Sequence, residues 1–586
     1  MATRSCADQN RTTPLLAAVL GGHVASRTRT ASLGASLILG LIAVAGCGGA
    51  HGGAADSQAA GTHRGGTLHV LSTIDLEHLD PARAYVTSTQ DVVRLVYRTL
   101  TTYAAAPGRA GSSIVPDLAT DTGTPSDGAK TWTFHLKEGL KYEDGRAITA
   151  ADIRYGVERT FAPELPEGPP YARTWLAGGA SYQGPYKGGD LAAIATPDDR
   201  TIVFTLNRPV ADFGSAAALP MFAPVPKDKD TGVGYDSRPF SSGPYKIDTF
   251  EPKKQLTLVR NESWDQKTDD VRKALPDRIE IDLNLDGSVV DQRMIAAQGE
   301  DANAVAFEPI GPASVAQVQT DPTLRARLIT GESENTRFLS LNTRRGQLGN
   351  VKVRQAIAYA IDKDALRLTR GGPIAGDLAT TILPPSVAGH VDGDPYPSKD
   401  GKGDPDKARQ LLAEAGVAGG IDLTLDAPAT NGGKAQAEAI QSSLAKVGIR
   451  VAVNEVSGSS YWSTVGNTAQ EHDMVIDGWT PDWPGASTYL PIVLDGRAIT
   501  KQGNNNRAQY DSSAVNSRFD QIAALPDANA ANAAYGQLDG QIMADAPVVP
   551  FLWDKAAILV GPNVVGAYGH VGYVGRLDLV SLGLRG

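Results

Sequence analysis

Ile421, Leu423 and Leu425 alternate with polar residues. Ala437, Ile440, Leu444 and Val447 then recur at helical spacing between about Lys434 and Val447, with Gly448 as terminator, and Ile449, Val451 and Val453 alternate again. Strand, helix and strand at this spacing form a βαβ unit. Strands joined by a helical crossover pair in parallel, and a parallel sheet needs helices over its faces. The chain is therefore expected to be α/β. Just upstream, Asp404 is an N-cap with Pro405 at the first helical position; Ala408, Leu411, Leu412 and Ala415 supply the buried stripe, and Gly416 closes the helix.

The same reading applies nearer the start. Gly66 to Leu71 reads as a strand, Leu79 to Ala82 as a turn, and Asp91 to Leu100 as a helix carrying Val92, Val93, Val96 and Tyr97. Thr131 to Leu136 alternates as a half-buried strand, and Asp144-Gly145 supplies a hairpin turn. Thr149 and Asp152 form a capping box that opens a helix with Ile153, Val157 and Phe161 on one face. At 586 residues the chain exceeds one core and implies two or three domains. No repeat with a period of 20–50 residues is present.

Charge and motifs narrow the function. The net charge is -10, although the first 46 residues hold four Arg and one Asp, so the body is more acidic still. An acidic body speaks against nucleic acid, which requires a basic footprint. The two cysteines, Cys6 and Cys47, precede the body, which therefore has neither a disulfide nor a thiolate metal site. The sequence lacks H-E-x-x-H, G-x-S-x-G and the phosphate-binding G-x-x-x-x-G-K-[ST]. No catalytic residues, metal or cofactor are expected. Gly569, Gly572 and Gly575 read as turn residues.

Arg27 and Arg29 precede an apolar run from Ala31 to Gly46, shorter than the roughly 20 residues of a membrane span. The run ends in Val44-Ala45-Gly46-Cys47, which resembles the lipobox of bacterial lipoproteins, where the Cys is lipidated and becomes the mature N-terminus. That resemblance implies a signal peptide over residues 1–47 and a lipid anchor at Cys47; a plain secretory signal is the alternative. Residues 48–65 are small and polar and read as a tether.

Four stretches resemble the extracellular solute-binding proteins of family 5, which serve ABC importers of oligopeptides, dipeptides and nickel. They are Pro116-Asp117-Leu118-Ala119 with Asp127 to Ile153; Ser242-Gly243-Pro244-Tyr245 with Leu258 to Asn261; Val353 to Asp362; and Asp404 to Leu412. The match runs over roughly residues 66–555. It implies the type II periplasmic-binding-protein fold in its large form, a bilobal clamp. Lobe I is expected over 66–335, with a subdomain inserted at about 110–200 and a C-terminal return at 547–586; lobe II is expected over 336–546. Solute binds between the lobes, which close about a hinge. The resemblance also implies a monomer on the extracytoplasmic face of the membrane, partnered by an ABC permease. It leaves open a non-peptide solute (an oligosaccharide, a nickel chelate or a glycolipid) and a regulatory lipoprotein of the cell envelope.

Met474 to Ile476 reads as a strand, and Trp479 and Asp482 as the loop at its carboxyl end, where α/β sheets place ligands. In peptide-binding relatives a W-x-x-D pattern here supplies the acid that pairs with the α-amino group, a role that falls on Asp482; capping a turn before Pro484 is the alternative. Aromatics are 6% of the chain, so Trp479, Trp483, Tyr461 and Trp462 stand out as candidate cleft walls, with ordinary core or lobe packing as the alternative for each. Tyr85, in the loop after Asp80-Pro81, is a candidate from lobe I, with packing as the favoured alternative. Asn504-Asn505-Asn506, with Asn505 as the candidate contact, resembles a downstream stretch of peptide binders; a turn is the equal alternative. Some of those carry an Arg three residues before the Trp to help hold the peptide carboxylate; here that residue is Ile476, which leaves Arg344, Arg345 and Arg497 as alternatives.

Overall fold

The computed structural model describes residues 62–586. The expected signal segment, Cys47 and residues 48–61 of the tether lie outside the described residues. Thr62–His63 pairs with Gly583–Arg585, so the last tether residues form a short edge strand.

Two sheet systems organise the chain. In the first, Thr67–Leu71 lies second from the edge of a five-stranded sheet, parallel to Ala304–Ala306 and Arg278–Asp282 and continued by the antiparallel strands Gln255–Arg260 and Tyr245–Glu251. A separate four-stranded antiparallel sheet, built from Thr124–Ser126, Thr131–His135, Thr201–Thr205 and Ile194–Asp198, has its own aromatic core around Phe134, Phe204, Phe213 and Phe222. These two sheets make lobe I. Lobe II is built on six strands in the order Gly376–Leu378, Val548–Leu559, Leu328–Leu341, Met474–Trp479, Ile421–Pro428 and Ile449–Val456. The βαβ unit is present, with Ile421–Pro428 and Ile449–Val456 parallel along eight residue pairs. Its helix, Asn431–Ala445, starts earlier than the periodicity suggests, because the Thr430 side chain caps the Gly433 N–H.

The capping box and the Asp404 cap form as expected. The expected helix from Asp91 does not. The helix is Thr87–Val93, and the chain then turns so that the Leu95 and Val96 carbonyls accept from Tyr245 and Gly243. Tertiary hydrogen bonds to a neighbouring segment end the helix where local periodicity would extend it.

The lobes are joined by two long strands. Leu328–Leu341 and Val548–Leu559 are antiparallel, with Leu328, Ile329, Ile558 and Leu559 packed in lobe I and Leu339, Leu341, Val549 and Phe551 in lobe II. Pairing breaks between Glu332 and Thr336, where residues 333–335 face the single residue Asp554. A bulge of this kind bends a ribbon locally, and it falls where the chain crosses between the lobes, the place expected for the hinge. Beside it, Gly331 packs on the C-terminal return. A Cβ on Gly331 would sit 2.7 Å from Gly569 Cα and closer still to the Gly575 carbonyl. Gly569 is thus a close-approach glycine, whereas Gly575, at φ 77°, is a turn residue as expected. Gly331→Ala is expected to cost about 1–3 kcal/mol in denaturant unfolding, since backbone rather than a flexible side chain must move. A loss within error would mean that the hinge yields freely.

Candidate functional site

The strand Met474–Trp479 ends at the face between the lobes. It includes Trp479, expected on the loop, because Trp479 pairs with Thr336 across the sheet. Asp482 lies on the loop beyond. Two hydroxyls from lobe I meet its carboxylate: Tyr85 Oη donates to Oδ1 at 3.0 Å and Tyr171 Oη donates to Oδ2. Burial pushes the Asp482 carboxyl above the ordinary carboxylate range, against both hydroxyls, which favour the ionised form. An ionised carboxylate has about four acceptor positions. The two tyrosines therefore leave room for a further donor.

Trp483, expected as a cleft wall, lines the cavity between the lobes and also makes the contact that joins them. It is 3% exposed and belongs to the lobe I aromatic core, with ring centroids 5.0 Å from Tyr171 and 5.9 Å from Trp175. Its Nε1 donates to Asp212 Oδ2 at 2.9 Å, and Ser487 Oγ donates to the same oxygen. Each lobe thus offers one carboxylate to donors of the other. Beyond Trp483 lies a cavity of about 390 Å3 between the two lobes, walled by Tyr171, Trp175, Phe519, Ile522 and Tyr535.

Tyr461 is the clearest correction. It is 2% exposed, and its hydroxyl donates to the backbone carbonyls of Asp426 and Ile476, so it packs lobe II and lines no cleft. Trp479 is half-buried, its Nε1 held by the Thr488 carbonyl at 2.8 Å. Trp462 is 53% exposed, with the Arg507 guanidinium 4.8 Å from its ring centre. Arg507 also donates to Asn505 Oδ1 at 3.2 Å and pairs with the buried Asp477 at 2.7 Å. Asn504 and Asn506 are spent on the chain itself and its neighbours. Tyr171, Asp212 and Arg507 carry no sequence signal of their own; only proximity in the fold selects them.

Arg344, Arg345 and Arg497 hold Asp511, Asp473 and the pair Asp495 and Asp520. Cationic side chains gather elsewhere. A cavity of about 520 Å3 at the hinge is lined by Arg337, Arg370, Lys555 and Arg576, with Asp554 the one carboxylate in its wall. Its volume falls in the range of about 300–1,000 Å3 usual for small-molecule sites. It lies at the same end of the strand Met474–Trp479 as Asp482, since Arg337 pairs with Gly478 and Asn335 Oδ1 sits beside Gly478.

Residues 113–501 match the family model described as bacterial extracellular solute-binding proteins, family 5 Middle. Among curated proteins, the chain is 26% identical to Heme-binding protein A of Haemophilus influenzae over 78% of this chain and 82% of that protein. It is 27% identical to the Dipeptide-binding protein of Escherichia coli over 67% and 72%. Among solved structures it resembles the clavulanic acid biosynthesis oligopeptide binding protein 2, at 35% identity and a TM-score of 0.83, over 90% of this chain and 99% of that one.

Proposed function

The chain belongs to the bacterial extracellular solute-binding proteins of family 5, and on that premise we propose that its solute is a short peptide whose α-amino group pairs with Asp482. The solute-binding role comes with the family. The peptide reading is supported by one observation above all: Asp482 is a half-buried carboxylate at the lobe contact, reached by hydroxyls of the opposite lobe and with no cation among the described residues paired to it. An ammonium enclosed there loses its hydration and requires a fixed anion in its place. Relatives named for dipeptide and oligopeptide binding support the same reading.

In this reading the lobes divide at the hinge bulge, so the return to lobe I begins at about Asp554 rather than at the expected residue 547, and the lobes close on the solute. The protein binds and releases without chemistry and hands its cargo, as a monomer, to an ABC permease. Cys47 holds it by lipid to the extracytoplasmic face of the membrane, a role supported by the Val44-Ala45-Gly46-Cys47 run. Among the described residues no helix is long and apolar enough to cross a membrane. Calorimetry with short peptides, free and N-acetylated, tests the amine contact. Acetylation is expected to weaken binding at least tenfold. Equal binding of both forms removes the Asp482 pairing.

A further inference from the structure

The hinge cavity holds more positive charge than its own carboxylates answer. Arg337 is fully engaged, with Nε 2.9 Å from Asp554 Oδ1 and a terminal nitrogen 2.7 Å from Oδ2. Lys555 is paired with Asp377. Arg370 reaches the already occupied Asp554 only at 3.8 Å, and its buried Nε has no hydrogen-bond partner. Burial and the neighbouring Arg337 bring its guanidinium down to about 10, the mark of a cation short of a counter-charge. Arg576 lies over the Phe307 ring at 5.3 Å, makes no ion pair among the described residues and also has an unpartnered Nε. The carboxyls whose ionisation Arg576 favours, Glu334 and Asp91, are fully buried, and that burial pushes both upward, Glu334 to about 8. Asn335 adds a buried, unpartnered Oδ1 able to accept an N–H.

Two guanidiniums without a carboxylate of their own, beside an amide acceptor, match two anionic groups on one ligand. We propose that the hinge cavity receives the far end of the solute as a dianion, so that the preferred peptides end in Asp or Glu, with the terminal and side-chain carboxylates shared between Arg370 and Arg576. This rests on the peptide reading above. The amine end stays at Asp482, and the peptide runs past Gly478, where Asn335 meets a backbone N–H. Arginine suits such a site because its planar fork grips a carboxylate through two hydrogen bonds.

Calorimetry on the full chain with matched peptides of two to four residues, Ala-Glu against Ala-Gln and their Ala-extended forms, tests the inference without a variant. The Glu member is expected to bind at least tenfold tighter at one or more lengths, and that gap is expected to close in R370Q and R576Q chains that melt like the parent. Equal affinity of the two members at every length overturns the dianion assignment and leaves the peptide reading standing. Failure of both members to bind overturns the peptide reading, and this inference falls with it.

Discussion

Asp482→Asn weakens a free-amine peptide by roughly two orders of magnitude in Kd, about 3 kcal/mol, because an enclosed ammonium keeps its desolvation cost and loses its anion. Asn still accepts from Tyr85 or Tyr171, so the lobe contact is only partly disturbed and the thermal midpoint moves little. The deciding measurement is a cycle of Asp482→Asn against N-acetylation of the peptide. If the amine meets Asp482, the two losses overlap; if they add, it binds elsewhere. The pH dependence has a definite sign. Burial raises the Asp482 carboxyl, and only its ionised form attracts the amine. Affinity therefore falls as acid protonates it, beginning above the range of an ordinary exposed carboxyl, and Asp482→Asn abolishes that dependence.

Asp117→Ala is expected to cost lobe I about 3–5 kcal/mol, because it strands buried guanidiniums without their anion. Asp117 Oδ1 accepts from Arg98 Nε at 2.6 Å and from Arg272 at 3.0 Å, and Oδ2 accepts from Arg272 at 2.8 Å. All three side chains are at most 2% exposed. The one remaining carboxylate in the cluster, Asp269, already serves both arginines. Burial alone would raise Asp269, but Arg272 and Arg98 prevail and hold it well below the usual carboxylate range. Its contribution is therefore complete above the pKa of an unfolded Asp and is lost as the pH falls through the depressed value. Denaturant unfolding of the variant checks the first statement. A loss under about 1 kcal/mol would show that water replaces the missing anion.

These two residues separate what motifs report from what sites require. Asp117, in Pro116-Asp117-Leu118-Ala119, neutralises a buried arginine cluster. Arg354, in the stretch Val353 to Asp362, ties its helix to the Asp545 and Leu348 carbonyls. Tyr245, after Gly243-Pro244, donates to the Pro276 carbonyl. The segments that carry the family resemblance are scaffold, and they were readable because a scaffold repeats local rules: caps, turn glycines and apolar periodicity. The loop position of Asp482 was readable too, since it follows a strand at a fixed offset, whereas its role came only from the resemblance to peptide binders. Tyr461 misled because an aromatic near a cleft and an aromatic in a core look alike in one dimension.

The amino-acid sequence by itself determined the α/β architecture, the positions of the caps and the strand that leads into the Asp482 loop, because each depends on residues a few positions apart. Tertiary structure alone decided that Tyr85 and Tyr171 meet Asp482, that Trp483 enters the opposite lobe's core, and that Arg337, Arg370 and Arg576 share one cavity. Those residues are separated by as many as 397 positions. Hydrogen bonds act over about 3 Å and screened Coulomb forces over about 10 Å, so their partners are set by how the lobes close and not by distance along the chain.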